Sequence, residues 1–160
     1  MDSRYNEYIS FLSKYRDELS SYLESECEKR RALLGSDFLR LEKMLKVQQA
    51  ETMKFRELES KRAKLQSKLG LPGVKVAELL KTIDDPETHR SVEALFAEIA
   101  AYAEQIQEQN RQSLELAETN LKIIDLVRGG SAAEARSSYY GPENSRRTVY
   151  SAGEAFEETV

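Results

Sequence analysis

The sequence is poor in turn formers and in the residues that most often carry chemistry. Its 160 residues include seven glycines, three prolines, one cysteine, one histidine and no tryptophan. An all-β sandwich or barrel needs turn formers about every 8 to 12 residues, so these counts argue against such folds. A single cysteine excludes an internal disulfide framework, and a single histidine excludes the paired Glu-x-x-His motifs of a di-iron bundle. A helical protein without a metal or other cofactor is therefore expected.

Membrane and catalytic signals are also lacking. No apolar run approaches ~18 residues, so we expect neither membrane insertion nor a secretory signal peptide, and we expect a location in the reducing cytoplasm. Cys27 lies on a helical stripe and His89 in the first turn of a helix. Neither has neighbours at a spacing that indicates nucleophilic or acid–base catalysis. We therefore expect a protein that is not an enzyme.

What the chain does have is charge, unevenly distributed. Charged residues make up 32% of the chain and sum to −4, with +3 in residues 1–80 and −7 in residues 81–160. A segment at 37–69 holds nine bases and five acids, whereas a segment at 86–128 holds four bases and eight acids. The opposite charges predict that these two segments pack together as antiparallel helices.

Apolar residues at heptad spacing predict three long helices. The first spans about residues 3–34. Its stripe is expected to slip after Leu19, because the heptad positions that follow Tyr22 hold Glu26 and Lys29. The apolar row on the shifted face is Leu23, Cys27 and Leu34.

Local signals mark the helix ends. A turn is expected at Gly35-Ser36-Asp37, and a second helix over 38–69 is stopped by Gly70-Leu71-Pro72-Gly73. A short helix over 76–83 is expected to close the bundle. The third long helix, 86–128, has Asp85 as its N-cap and Pro86 in its first turn.

Polar residues interrupt the stripe of the second helix at Gln48, Glu51 and Arg62. Buried polar pairing could set the register there, but we expect a loosely packed seam. The stripe of the third helix is cleaner and runs from Val92 to Val127. Its second half also has apolar residues outside the stripe, at Leu114, Ala117, Leu121, Ile124 and Leu126. They form either ordinary core or a face that receives a partner helix.

Two domains of different character follow from this pattern. Residues 1–128 are expected to form an all-α bundle of long antiparallel helices with coiled-coil-like packing. Residues 129–160 lack a helical period but contain Tyr139, Tyr140, Tyr150 and Phe156. They are expected to form a flexible C-terminal tail, which either binds a partner or is inert.

Two other functions are compatible with the sequence. The chain could be a structural coiled-coil protein that acts as an oligomeric spacer or adaptor. It could also be a helical protein that binds nucleic acid through the basic row at 54–68. Acidic residues interrupt that row and Phe55 is its only aromatic residue, so we favour no nucleic acid partner.

The order of several short motifs carries more information than any one of them. Ala32-Leu33, Asp37, Leu41-Glu42 and Leu58-Glu59-Ser60-Lys61-Arg62 occur across the first two helices, and Asn110 to Val127 and Tyr139-Tyr140-Gly141 follow. This order resembles the FlgN family of bacterial flagellar export chaperones. The chain departs from the family pattern at Ser113, where a second asparagine is frequent.

The resemblance implies a cytoplasmic chaperone that is not an enzyme. Its partners would be the hook-associated proteins of the hook–filament junction, which it would keep unpolymerised, and components of the flagellar type III export apparatus. A homo-oligomer is also possible. The implied partner-binding residues are Asn110, Leu114, Ala117, Leu121, Ile124, Tyr139, Tyr140 and Gly141.

Overall fold

The computed structural model describes residues 1–129, and every regular element in that range is helical. A short 3-10 helix at Ser3–Tyr5 leads into α1 (Asn6–Leu34). Then come α2 (Phe38–Lys68), α3 (Val76–Lys81) and α4 (Pro86–Arg128). The predicted all-α fold is confirmed, with α-helix ends within three residues of those expected. The predicted tail lies outside the described residues from position 130 onward.

Helix α1 is the central element, because both other long helices pack against it. Helix α4 runs parallel to α1: Arg16 Nη1 lies 3.0 Å from Glu98 Oε2, and Asn120 Nδ2 donates to the Leu33 carbonyl at 3.2 Å. Helix α2 runs antiparallel to α1, since residues late in α2 meet residues early in α1. The alternating directions agree with a helical hairpin followed by a third long helix.

The predicted packing of α2 against α4 is wrong, because α1 provides the main contacts of each. Two lysines of α2 pair with glutamates of α1 instead. Lys54 Nζ lies 2.5 Å from Glu18 Oε2, and Lys68 Nζ lies 3.4 Å from Glu7 Oε1. The charge contrast between α2 and α4 therefore does not determine which helices are neighbours.

The turn between α1 and α2 is set by local hydrogen bonds. Asp37 N–H donates to the Ala32 carbonyl at 2.9 Å and Ser36 N–H donates to the Leu33 carbonyl at 3.3 Å, the pairing of a Schellman motif. Ser36 takes the left-handed position, with φ 53°, while the preceding Gly35 stays right-handed. Asp37 also caps α2 by accepting from Arg40 N–H at 3.1 Å.

The main core is aromatic on its α1 side. Tyr8, Tyr15 and Tyr22 are spaced one heptad apart and are each at most 2% exposed. Phe55 of α2 packs edge-on against two of these rings, with centroids 6.1 Å from Tyr15 and 5.4 Å from Tyr22. Such edge-to-face pairs stabilise a core beyond the area they bury. This aromatic row fixes how α1 and α2 face each other.

The α1 stripe does not slip, contrary to the prediction. Glu26 and Lys29 are buried at the heptad positions, whereas Leu34 is 61% exposed and Cys27 is half-buried. The loosely packed seam predicted for α2 is also wrong, because Gln48 is 1% exposed and hydrogen-bonded. Buried polar groups are tolerated when they bond to one another, and these residues come from helices far apart in sequence.

Arg62 departs from the predicted loose seam in the same way. It is 8% exposed, and its guanidinium reaches Glu59 one turn earlier and Gln66 one turn later on α2. Gln66 in turn donates to the Val74 carbonyl at 2.5 Å. This chain of bonds ties α2 to the segment that leads into α3.

Candidate partner-binding site

Exposed apolar side chains concentrate at one end of the described residues. Three lie at the tip of the α1–α2 hairpin and three in the last turns of α4, and together they form what we name the distal apolar surface. Their exposed fractions range from 49% for Phe38 to 85% for Leu126. Exposed apolar clusters of this kind mark sites of protein contact. The members are Leu34, Phe38, Leu39, Ile123, Leu126 and Val127.

This surface exists because α4 is longer than the hairpin beside it. The bond between Asn120 and the Leu33 carbonyl places the end of α1 level with residue 120 of α4. Helix α4 then continues to Arg128, about 12 Å further at 1.5 Å per residue. Ile123 and Val127 continue the α4 stripe, but α1 has ended and leaves them 53% and 80% exposed.

A small apolar cluster lies beneath the surface. Ala32 and Leu33 of α1 and Leu41 of α2 form its buried centre. Leu116 and Ala117 of α4 are half-buried and pack against it, together with two half-buried residues of α2, Met44 and Leu45. This cluster joins the hairpin tip to α4, so it supports the distal apolar surface from below.

The residues implied by the family resemblance fall into three environments. Leu114, Ala117, Leu121 and Ile124 are half-buried on α4, near the distal apolar surface. Asn110 lies inside the bundle: it is 8% exposed, and its Oδ1 accepts from Lys29 Nζ at 3.2 Å. The last three, Tyr139, Tyr140 and Gly141, lie outside the described residues.

Sequence reasoning missed most of the exposed residues. Ile123 and Val127 were assigned to the helix seam, and Leu34 was placed on a buried row. Their exposure depends on where α1 ends relative to α4, which is a long-range register. The turn at Gly35 was the available signal. A hairpin that ends there is shorter than a helix over 86–128, so one end of the longer helix must extend beyond the hairpin.

Exposed charged side chains precede the distal apolar surface along α4. Arg111 bonds to Glu108 at 2.7 Å and to Glu115. Hydrogen bonds from Arg111 and Gln112 lower the pKa of the Glu108 carboxyl to about 2. The exposed α4 surface is therefore ionic up to Glu115 and mostly apolar beyond Asn120. That change in character marks where the distal apolar surface begins on α4.

The described part of the chain offers no arrangement for metal chemistry or membrane crossing. No three histidine, cysteine, aspartate or glutamate side chains in residues 1–129 come together in a way that could hold a metal ion. None of the helices in that range combines the length and apolar character needed to cross a bilayer.

Comparison with known families identifies the family of the chain. A family model described as FlgN protein matches residues 1–147, most of the chain. The chain belongs to the FlgN family. Membership carries the family's general role, which is that of a flagellar export chaperone. No curated protein and no solved structure matches this chain.

Proposed function

We propose that this FlgN-family protein is a cytoplasmic chaperone for hook-associated subunits of the hook–filament junction. It binds a terminal helix of the subunit, prevents premature polymerisation and delivers the subunit to the type III export apparatus. The single observation that carries the proposal is the apolar stripe of α4, which continues past the end of its partner helix α1. An amphipathic helix from a client can take the place that α1 vacates.

The half-buried residues contribute to the same face. Leu121 and Ile124 lie between the hairpin tip and the exposed end of α4, so a docked helix would contact them along with Ile123 and Val127. Tyr139, Tyr140 and Gly141 follow in the chain and are proposed as further contacts. Asn110 is proposed to act indirectly, because it holds α4 in place through Lys29.

Charge insertion at the distal apolar surface tests the proposal. Leu126→Asp/Val127→Asp should weaken the complex with a co-expressed junction subunit by at least about 100-fold, because two carboxylates would be desolvated on binding. Both side chains are at least 80% exposed, so circular dichroism and the unfolding midpoint should not change. Affinity is measured by titration calorimetry with the purified subunit.

A matched control lies on the body of α2. Val47 and Met53 are also exposed apolar residues, at 53% and 66%, but they lie away from the distal end. Val47→Asp/Met53→Asp should bind the subunit as the unmodified chain does. The proposal is refuted if both pairs of substitutions weaken binding equally, or if the intact chain binds no junction subunit.

The same exposed stripe favours one other function, that of a self-associating structural protein. A second copy of α4 could cover the stripe as well as a client helix could. Light scattering of the free chain and of the mixture with a junction subunit separates the two functions. A chaperone forms a defined hetero-complex, whereas a structural spacer forms a homo-oligomer that the subunit does not dissociate.

A further inference from the structure

A layer of polar side chains crosses the interior where the three long helices meet. Lys29 Nζ lies 2.8 Å from Glu26 Oε2 and donates to Gln48 Oε1 at 3.3 Å and to Asn110 Oδ1 at 3.2 Å. Gln48 Nε2 donates to Glu26 Oε1 at 2.9 Å. All four residues are at most 8% exposed. We name Glu26, Lys29, Gln48 and Asn110 the polar layer.

The polar layer separates two apolar cores of unequal size. On one side lies the main core, which extends along α1 as far as Tyr22 and along α4 as far as Ile106. On the other side lies the small cluster, whose buried centre is Ala32, Leu33 and Leu41. The main core has 17 buried members against these three, so most of the cooperative stability lies on one side of the layer.

Opening at the layer is favoured by its chemistry. Charges inside a protein lack most of the hydration they have in water, and Glu26 and Lys29 would regain it if the hairpin tip moved away from α4. That movement exposes only the apolar side chains of the small cluster to water. Ser113, on the far side of the layer, adds a buried hydroxyl with no hydrogen-bond partner among the described residues, which also gains from access to water.

We propose that the free protein opens at the polar layer: the hairpin tip separates from α4 while the main core stays folded. This inference rests on the proposed function for its purpose, because opening uncovers Leu116 and Ala117, which pack against the small cluster in the closed form, for a client helix. The distal apolar surface is then the first contact, and the uncovered α4 face completes the site. Regions that move in binding are drawn from the least stable parts of a fold.

Hydrogen exchange of the full free chain tests the opening. Amides of residues 29–34 and 113–120 should exchange at least about 100-fold faster than those of residues 12–22 and 95–106. The last turn of α2, residues 65–68, is the control for ordinary fraying, since it is also a helix end but packs on the main core. Its amides should exchange more slowly than those of residues 29–34.

Variants of the polar layer test whether the layer causes the opening that speeds amide exchange at the hairpin tip. Glu26→Leu/Lys29→Leu/Gln48→Leu should join the two cores and slow distal exchange at least about 10-fold. Glu26→Gln/Lys29→Met, which keeps the shapes and removes both charges, should slow it less and guards against a misfolded triple variant. Glu108→Gln/Arg111→Met removes an exposed pair on α4 and should change nothing. Equal exchange on both sides of the layer, or variants that leave distal exchange unaltered, would overturn the proposal.

Kinetics with a junction subunit test the link to binding. The layer variants keep every residue of the distal apolar surface, yet they should slow association at least about 10-fold. Association at the unmodified rate would overturn the claim that the client needs the open form. Failure of the unmodified chain to bind refutes the proposed function instead, and the exchange measurements, which need no client, are then judged alone.

Discussion

Lys29 links all three long helices inside the bundle. Its ammonium group meets Glu26, Gln48 and Asn110, one group from each of the three long helices, while its side chain is only 9% exposed. Breaking a buried ion pair from one side costs much more than exchanging both partners for apolar residues, because the remaining charge stays buried without compensation.

Lys29→Met should therefore lower the free energy of unfolding at pH 7 by about 3 kcal/mol. The double replacement Glu26→Leu/Lys29→Leu should be close to neutral or stabilising. Urea denaturation measures both. Lys46→Met is the matched control, since Lys46 pairs with Glu42 at 3.2 Å on the exposed face of α2. If Lys29→Met costs no more than Lys46→Met, the ion pair does not stabilise the interior.

Glu51 provides a pH-dependent test close to the same layer. Burial raises the pKa of its carboxyl, the negative charge of Glu26 adds to the effect, and a hydrogen bond from Ser25 opposes it. One carboxyl oxygen of Glu51 is buried without a hydrogen-bond partner in the described part of the chain. The folded state therefore binds a proton on Glu51 more tightly than the unfolded state does.

Glu51→Gln should stabilise the protein at pH 7, where the unmodified carboxylate is charged and partly desolvated. The gain should shrink as the pH falls through the raised pKa of Glu51 toward 4.5, its ordinary value, because the native carboxyl then takes up a proton. Thermal unfolding from pH 7 to pH 4 follows the difference. Glu57→Gln, at an exposed position of the same helix, should show no such trend, and a pH-independent gain from Glu51→Gln would contradict the assignment.

At the scale of the element, the two ends of the hairpin helices form a natural comparison. Helices α1 and α2 both end in a Schellman motif, with a residue in the left-handed region: Ser36 at φ 53° and Gly70 at φ 80°. Glycine adopts this conformation without steric cost, whereas serine does not. The α1 turn is therefore the strained one of the pair.

Ser36→Gly should raise the free energy of unfolding by about 0.5 to 1 kcal/mol. Gly70→Ala should lower it by about 1 kcal/mol, and no atom within 4 Å would meet the added methyl group, so the effect is conformational. Chemical denaturation measures both variants. Effects of the same sign would show that backbone strain does not govern these two turns.

Helix ends could be predicted from sequence because their signals are local. Asp85 and Pro86 start α4 as expected, and Asp85 accepts from Thr88 N–H at 2.8 Å. The polar layer could not be predicted in the same way. Within its own helix, each of Glu26 and Gln48 is a polar residue at a position where burial is unfavourable. Their burial is stable only because the α1–α2 turn brings together residues that are 22 positions apart, so that Gln48 Nε2 lies 2.9 Å from Glu26 Oε1.

At the scale of the whole molecule, the sequence did not show which helices pack against one another. Helix composition correctly gave long amphipathic helices, and the half-buried α4 face lies where apolar residues exceed one stripe. Composition did not reveal that α1 provides the main contacts of both the basic helix and the acidic one. The placement of the candidate site followed from the same long-range fact, since the exposed stripe of α4 is defined by where α1 stops.

Charge reversal on α2 checks that arrangement. Lys64 is exposed and has no ion-pair partner in residues 1–129, so Lys64→Glu should change the free energy of unfolding by less than about 0.5 kcal/mol. Lys54 faces Glu18 of α1 at 2.5 Å, and Lys54→Glu should cost about 1 kcal/mol through like-charge repulsion. Salt dependence of the urea midpoint provides the second readout. A larger cost at Lys64 than at Lys54 would place α2 against α4 after all.

The length of α4 has a consequence for how the rest of the chain is presented. Gly129, at φ 70°, ends the helix about 12 Å beyond the hairpin tip. Tyr139 follows ten residues later, so covalent geometry keeps it within about 36 Å of Gly129. A client bound at the proposed contacts Tyr139 or Tyr140 would therefore stay within that distance of Gly129, which borders the distal apolar surface. Binding at both places would then hold one subunit by two contacts, and loss of either contact would weaken its retention.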